Sequence, residues 1–463
     1  MRGLEGENKK WILRGIVCLI LTLSFFYLSP GLAFTDSATY VQAVKVGALP
    51  GPHAFYIYLG WAIVKFTGLN PIHALKLLSA LFGAFTLLPL AGILSKFVSE
   101  RWVNLALMSF ITLPLWLIHS LHIEVYTMGT FLLTITLYLL LTSKESERKW
   151  KLAALTFGLC LGTQTSLILL LPFIYLFHHI CLPRRDYRLF IIISIILGVI
   201  FYIPLWWWLG IKEWVKFILT SHEYKLSLNL KVWFRNMVLT IASFHIYLPL
   251  AVLGLHSLYQ EEKEWFKLSL AFLLPFLIFI PLNFWDAFVQ LIPTYPVIIL
   301  LAFIYLYRKG INLRVITSII FSNFLSLMVV AYLLSQPYHY YEVKWLASHV
   351  PKDGVIVSCE TPKQMAVLYP EREVYELMRW KGKGEVLVEY SLPEWERGRL
   401  EYPIKPLSYL WMSEKKVFLT GGCLNLLKVF PGKFEYVAST KTKTFKKPFS
   451  YGNLSVYRLV KNE

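Results

Sequence analysis

The stretch Phe34-Thr35-Asp36-Ser37-Ala38-Thr39-Tyr40 decides how the rest of the chain is read. It follows an apolar run, residues 11–29, long enough to cross a bilayer, which takes about 20 residues. A carboxylate at the membrane surface is costly unless it is used, which makes Asp36 a functional candidate. The same residues also suit a plainer role, since Thr35, Asp36 or Ser37 can cap a helix that starts at Ala38. Beyond them, Tyr40–Val46 and Phe55–Phe66 are aromatic-rich with scattered Lys, the pattern of segments lying along an interface. Pro50-Gly51-Pro52 breaks the chain between them.

Composition agrees with a membrane setting. Of the 463 residues, 56% are hydrophobic and 16% charged, against about half and a quarter in soluble domains. The 16 Trp, 27 Tyr and 32 Phe supply interfacial aromatics. A net charge of +18 would suggest nucleic acid in a soluble protein, but here most of it lies in short loops between apolar runs, so nucleic-acid binding is rejected. Of the five Cys, Cys18 and Cys160 fall in apolar runs and read as small buried hydrophobes. Cys359 and Cys423 each follow a predicted strand and are able to pair if their domain lies outside the cell.

Working outward, Lys10 and Arg14 place the N-terminus in the cytoplasm, and residues 30–74 form an external loop. Further apolar runs at 75–97, 102–118, 125–142, 152–164, 167–180, 189–209, 241–259, 266–283, 287–307 and 315–334 alternate between basic and near-neutral turns. The total is about eleven crossings. The junction Gly162-Thr163-Gln164-Thr165-Ser166 is too polar for lipid and is expected to face a cavity. Residues 210–240 are external yet basic, with Lys231 and Arg235 suited to an anionic partner or to lipid headgroups. From 335 charged residues become frequent. Strands are predicted at Val355–Ser358, near Val374, at Lys416–Thr420 and at Ser455–Leu459, with a helix at Pro362–Tyr369. The expected fold is therefore a multi-pass α-helical membrane protein: a transmembrane domain over 1–334 and a small external α/β domain over 335–463.

On this topology Asp36, Glu124, Gln164 and Asp286 reach one face, the arrangement that a general base or a cation site needs. Each acid could equally cap a helix at the interface. His119 and His122, three apart, are a weak metal-ligand pair. No phosphate-binding Gly loop, dinucleotide fingerprint, nucleophile elbow or haem motif is present.

Three pieces together resemble the GT-C glycosyltransferases, specifically the branch of the transmembrane O-mannosyltransferase of plexin-type receptors and its prokaryotic relatives. Asp36-Ser37, followed by Gly47 and a Pro/Gly turn into Tyr56-x-Tyr58-Leu59-Gly60, resembles that branch's first-loop pattern. Glu124-Val125-Tyr126-Thr127 matches its Glu-Val-Tyr-[Thr/Ser], and Gly158-Leu159-Cys160-Leu161-Gly162 resembles its Gly-Leu-Ala-Leu-Gly. Val350-Pro351-Lys352-Asp353-Gly354-Val355 more loosely resembles the start of its soluble domain. The chain departs where the branch has a second loop carboxylate, here Thr39, and an acidic run in its soluble domain, here Cys359-Glu360-Thr361-Pro362.

The resemblance implies an inverting sugar transferase of the cell membrane. A polyprenyl-phosphate sugar would be the donor, and a hydroxyl on protein, glycan or lipid the acceptor, at the outer face. Asp36 would be the general base and Glu124 would orient a substrate or help hold a divalent cation, Mg or Mn. Tyr126, Gln164, His53 and Tyr56 would line the substrate cavity, and Lys231 and Arg235 would meet the phosphate. Two other classes stay open: a lipid-linked glycan transporter or flippase, which would show an inverted repeat, and a non-catalytic scaffold with an exported binding domain.

Overall fold

The first helix, α1 (Arg2–Leu28), carries the apolar window Asn8–Leu28, and its Ile12, Leu13, Leu19, Ile20 and Leu23 are exposed, as lipid contact would have them. The computed structural model describes residues 2–29, 35–46, 53–209, 211–212, 234, 238, 244–282, 290–312, 314–323, 338–359, 362–369, 371–378, 387–390, 404–406, 416–424, 433–447 and 450–460. These fall into two compact units. One comprises Met1–Leu28, Gly51–Ala62 and Ala74–Val330, and the other Ser29–Pro50, Ile63–His73 and Ala331–Glu463. The second unit therefore draws on stretches of the segment after α1 as well as the C-terminal third.

After α1 come α2 (Thr35–Val46), α3 (Ala54–Thr67), α4 (Pro71–Phe85) and α5 (Leu87–Leu94). Helix α2 begins at Thr35, so Asp36 stands in its first turn, earlier than a cap before Ala38 would place it. Helices α4 and α5 run on as one apolar helix, Pro71–Leu94. The expected single crossing at 102–118 is instead two helices, α6 (Glu100–Ile111) and α7 (Pro114–Leu121), bent by 64°. Pro114 is the cause: it lacks an N–H and holds Leu113 extended (φ −62, ψ 123). His119 consequently lies within α7 rather than in a loop.

Then follow α8 (Tyr126–Thr142), α9 (Glu147–Thr163), a 3-10 turn Thr165–Leu170, α10 (Leu171–Cys181), α11 (Tyr187–Ile200) and α12 (Ile203–Leu209). Next are α13 (Tyr247–Glu261), α14 (Lys263–Leu282), a 3-10 turn Ile292–Thr294 and α15 (Tyr295–Arg308), with 314–323 also helical. Among the described residues two helices, Asn8–Leu28 and Pro71–Leu94, are long and apolar enough to cross a membrane, three if the bent α6–α7 pair counts as one.

Glycines set the closest helix approaches. A Cβ at Gly158 would lie 2.8 Å from the Ser194 carbonyl oxygen, and one at Gly198 would lie 2.9 Å from Leu161 Cβ, so α9 and α11 cross on small residues. The Gly158-x-x-x-Gly162 spacing read as a family signature thus has a packing cause. At Gly254, α13 meets α15 so closely that a Cβ would be 2.2 Å from the Leu301 carbonyl oxygen. Polar contacts fasten the basic turns: Arg14 pairs with Glu100, and Arg308 pairs with Glu262, with Glu261 at 2.9 Å and with Ser257 at 3.2 Å. Cys18 and Cys160 are buried and free, as their apolar surroundings imply.

The second unit contains α2, α16 (Tyr338–His349), α17 (Pro362–Leu368), α18 (Gly421–Leu424) and a seven-stranded sheet. Its strands are β1 (Val355–Ser358), β2 (Val374–Met378), β3 (Leu387–Tyr390), β4 (Ile404–Pro406), β5 (Val417–Thr420), β6 (Lys433–Lys447) and β7 (Ser450–Val460). They lie in the order β4-β3-β2-β1-β5-β7-β6. β1 sits between two parallel partners, β2 and β5, and all four of its residues are buried. Strands β3, β4 and β6 are absent from the sequence reading. Ile356, Val374, Phe418 and Val456 form the core with Leu346 and Met365, each contributing about 1.5–3 kcal/mol by burial. Helix α2 packs against α17. A disulfide joins Cys359 to Cys423, their Cα atoms 5.5 Å apart.

Candidate functional site

The break after α9 organises a buried polar network. Gln164 leaves the helix in extended conformation (φ −145, ψ 102), so the last carbonyls of α9 lose their intrahelical donors. Side chains replace them. His53 donates from Nδ1 to the Thr163 oxygen at 2.9 Å, which fixes the proton on that ring nitrogen because a carbonyl only accepts. The Tyr202 hydroxyl donates to the Gly162 oxygen at 3.4 Å.

The Gln164 side chain, 2% exposed, turns inward. Its Nε2 donates to Ser166 Oγ at 3.0 Å and to Gln290 Oε1 at 3.1 Å, and Ser166 Oγ donates to the same Gln290 oxygen at 3.0 Å. Gln290 Nε2 then donates to the Tyr126 hydroxyl at 3.4 Å. Gly129 makes room for this arrangement: a Cβ there would lie 2.9 Å from Gln164 Oε1. The Tyr126 ring meets His119 edge-on, with centroids 5.2 Å apart.

Two residues before Tyr126, Glu124 is 5% exposed and its backbone is clamped from both sides by Ser79. The Glu124 N–H donates to Ser79 Oγ, and Ser79 Oγ donates to the Glu124 oxygen, each at 3.1 Å. The Tyr56 hydroxyl shares a 3.0 Å hydrogen bond with Ser79 Oγ. Burial raises the Tyr56 phenol well above its usual range, with the Ser79 bond opposing and the Glu124 charge adding to the rise, so it stays protonated.

The structure thus forms two hydrogen-bonded clusters within one unit, Tyr56 with Ser79 and Glu124, and Gln164 with Ser166, Gln290 and Tyr126, joined through the chain at 124–126, and it sets His53 at the α9 end. The polar junction Gln164–Ser166, expected to face a cavity, is buried and hydrogen-bonded within the protein. Asp36 is placed only by its backbone, and Asp286, Lys231 and Arg235 lie outside the described residues. Gln290 is the functional candidate that sequence reading missed. Its signal was a lone amide in an apolar run, four residues after Asp286. Chemically, the network offers neutral hydroxyl and amide groups beside one carboxylate, a set suited to binding the hydroxyls of a sugar. Among the described residues no three His, Cys, Asp or Glu side chains gather as a metal site.

No family model matches the chain, and no curated protein matches it significantly. Solved structures do. The apo crystal structure of ArnT from Cupriavidus metallidurans superposes with a TM-score of 0.66 at 11% identity, covering 98% of both chains. The same protein bound to undecaprenyl phosphate gives a TM-score of 0.63 at 10% identity, covering 96% of this chain and 97% of that one. The fold of this protein is the ArnT fold over nearly its whole length.

Proposed function

We propose that this protein, folded as ArnT is, is a multi-pass membrane glycosyltransferase of the GT-C class. It would move a sugar from a polyprenyl-phosphate donor to a hydroxyl acceptor at the outer face of the membrane. The observation that carries the reading is a pair of buried polar clusters, Tyr56–Ser79–Glu124 and Gln164–Ser166–Gln290–Tyr126, which meet along the chain at Glu124-Val125-Tyr126. Three of these residues belong to the motifs that resemble GT-C enzymes. The lipid-linked donor is supported by the fold neighbour's complex with undecaprenyl phosphate, itself a polyprenyl phosphate. An apolar cavity between α8, α10, α14 and α15, walled by Leu137, Phe173, Phe272 and Leu300, is compatible with a ligand that carries a hydrocarbon chain.

In this reading the acceptor oxygen attacks the anomeric carbon from the face opposite the phosphate. Asp36 takes the hydroxyl proton as the new carbon–oxygen bond forms. The bond from the anomeric carbon to the phosphate oxygen breaks, and polyprenyl phosphate leaves with its electron pair, inverting the centre. Glu124 and Tyr126 hold sugar hydroxyls, and Lys231 and Arg235 stabilise the departing charge. About eleven crossings would put the N-terminus in the cytoplasm and the C-terminal sheet outside, a placement supported by the Cys359–Cys423 disulfide. Within the class, the first-loop and Glu-Val-Tyr motifs favour the O-mannosyltransferase branch.

The test is sugar transfer by the purified protein in nanodiscs, with polyprenyl-phosphate mannose, glucose, galactose and arabinose offered against cell-envelope extract. Transfer from one donor that falls about 100-fold or more in Asp36→Asn supports both the activity and the base. Transfer unchanged by that substitution would keep the enzyme and discard the base. No transfer from any donor, with an acceptor shown to be present, would overturn the reading.

A further inference from the structure

We infer that Gln290 is a positioning residue that fixes the Tyr126 hydroxyl for sugar transfer, an inference that rests on the function proposed above. The hydrogen-bond count carries it. An amide oxygen has two lone pairs, and both of Gln290's are taken, one by Gln164 and one by Ser166. That commits the Nε2 end of the same amide to the other side, where it meets Tyr126. The Tyr126 oxygen is therefore an acceptor from Gln290, and the phenol proton is directed elsewhere.

The residues that set Gln290 are held by the local backbone, and the 3.4 Å bond to Tyr126 is the longest of its contacts. Gln290 is 8% exposed and lies two residues before the 3-10 turn Ile292–Thr294, whose Pro293 stiffens the entry to α15. Gln164 and Ser166 stand at the α9 break, set by the local backbone. His119 braces the Tyr126 ring from another direction. The result is a rod of neutral polar groups from the helix break to a residue two positions from Glu124. A glutamine buried among apolar helices is retained at a desolvation cost unless its amide is satisfied, and here both ends are. Gln290 needs no contact with substrate: it acts through the orientation it imposes on Tyr126.

A double-mutant cycle in nanodiscs tests this, using Gln290→Leu, Tyr126→Phe and the two combined, read as kcat, KM for the donor and thermal midpoint. Each single change is expected to lower kcat about 10-fold or more while KM moves much less, because misplacement of a group costs rate. The double variant should be no slower than the slower single one, since both remove the same contact. Ser166→Ala, which removes one of two donors to Gln290, should give a smaller loss of the same kind. Multiplying effects, or wild-type kcat in Gln290→Leu, would overturn the inference while leaving the transferase reading intact. If the wild type transfers no sugar but the midpoint shifts of the cycle are non-additive, the contact stands and the transferase reading falls. Additive shifts would then remove both. If Gln290→Leu does not fold, the Ser166→Ala/Tyr126→Phe cycle decides by the same criteria.

Discussion

Gln290 and Tyr126 are 164 positions apart in sequence, yet the amide of one donates to the hydroxyl of the other at 3.4 Å. Neither residue is charged, and neither would stand out on an exposed surface. Their link matters because it joins the start of α15 to the start of α8 at the point where α9 breaks. Three segments are held by neutral hydrogen bonds, which cost less to bury than ion pairs and keep a defined geometry.

Ser79→Ala is expected to damage the site more than Tyr56→Phe. The phenol loses a bond to Ser79, about 1 kcal/mol, whereas removing Ser79 Oγ leaves the buried Glu124 N–H without its partner, about 1–3 kcal/mol. Thermal unfolding of both variants gives the ranking. The transfer assay should show the same order, because Glu124 loses its clamp in only one of them.

Gly254→Ala should be among the most damaging single-methyl additions in the chain. Its Cβ would meet a backbone oxygen of Leu301, which cannot swing away as a side chain can. A cost of about 3 kcal/mol or more is expected from such overpacking. Gly15→Ala is the control: nothing lies within 4 Å of its Cβ position, and α1 should be unchanged or slightly firmer. Equal midpoints for the two would contradict the close approach of α13 and α15.

Arg372→Met should loosen the C-terminal unit by about 3 kcal/mol, read as its unfolding midpoint. The Arg372 guanidinium donates to the carbonyls of Ala347 at 2.8 Å and of Val350 and Pro351 at 2.7 Å, closing the end of α16. Arg372→Lys should recover only part of the loss, since an ammonium cannot span three carbonyls as a planar fork does.

Cys359→Ser and Cys423→Ser should each lower stability by up to about 4 kcal/mol, given a sequence separation of 64. Reducing the wild type should reproduce the same shift, and reducing either variant should add nothing. Maleimide labelling before and after reduction, on intact cells, would also report the compartment: two thiols exposed only by reductant would agree with an external sheet.

The membrane class, the α9 break and the inward polar junction were legible because apolar length and local polarity declare themselves in sequence. So were β1 and β5, whose Val, Ile and Phe residues leave no other home. Strand β6 was not: Lys433, Glu435, Ser439, Thr440 and Lys441 look like solvated loop, and it is their pairing with β7 that makes them a strand. The α6–α7 bend hid behind an unbroken apolar run, although Pro114 was there to read. Gln290 escaped because one polar residue in an apolar stretch gives no hint of its partners, which depend on how the helices pack.

That α2 packs in the unit completed by Ala331–Glu463 has a consequence for biosynthesis. Helix α2 leaves the ribosome roughly 310 residues before the sheet and α17 begin to emerge. At about 5–20 residues per second, it waits on the order of 15–60 s without its partner. During that interval its buried Ala38, Val41 and Val44 need another surface, and the bilayer is the nearest one. Translation speed and chaperone supply should therefore affect the yield of this protein more than its final stability suggests. Coexpressed halves split inside the first loop should assemble poorly.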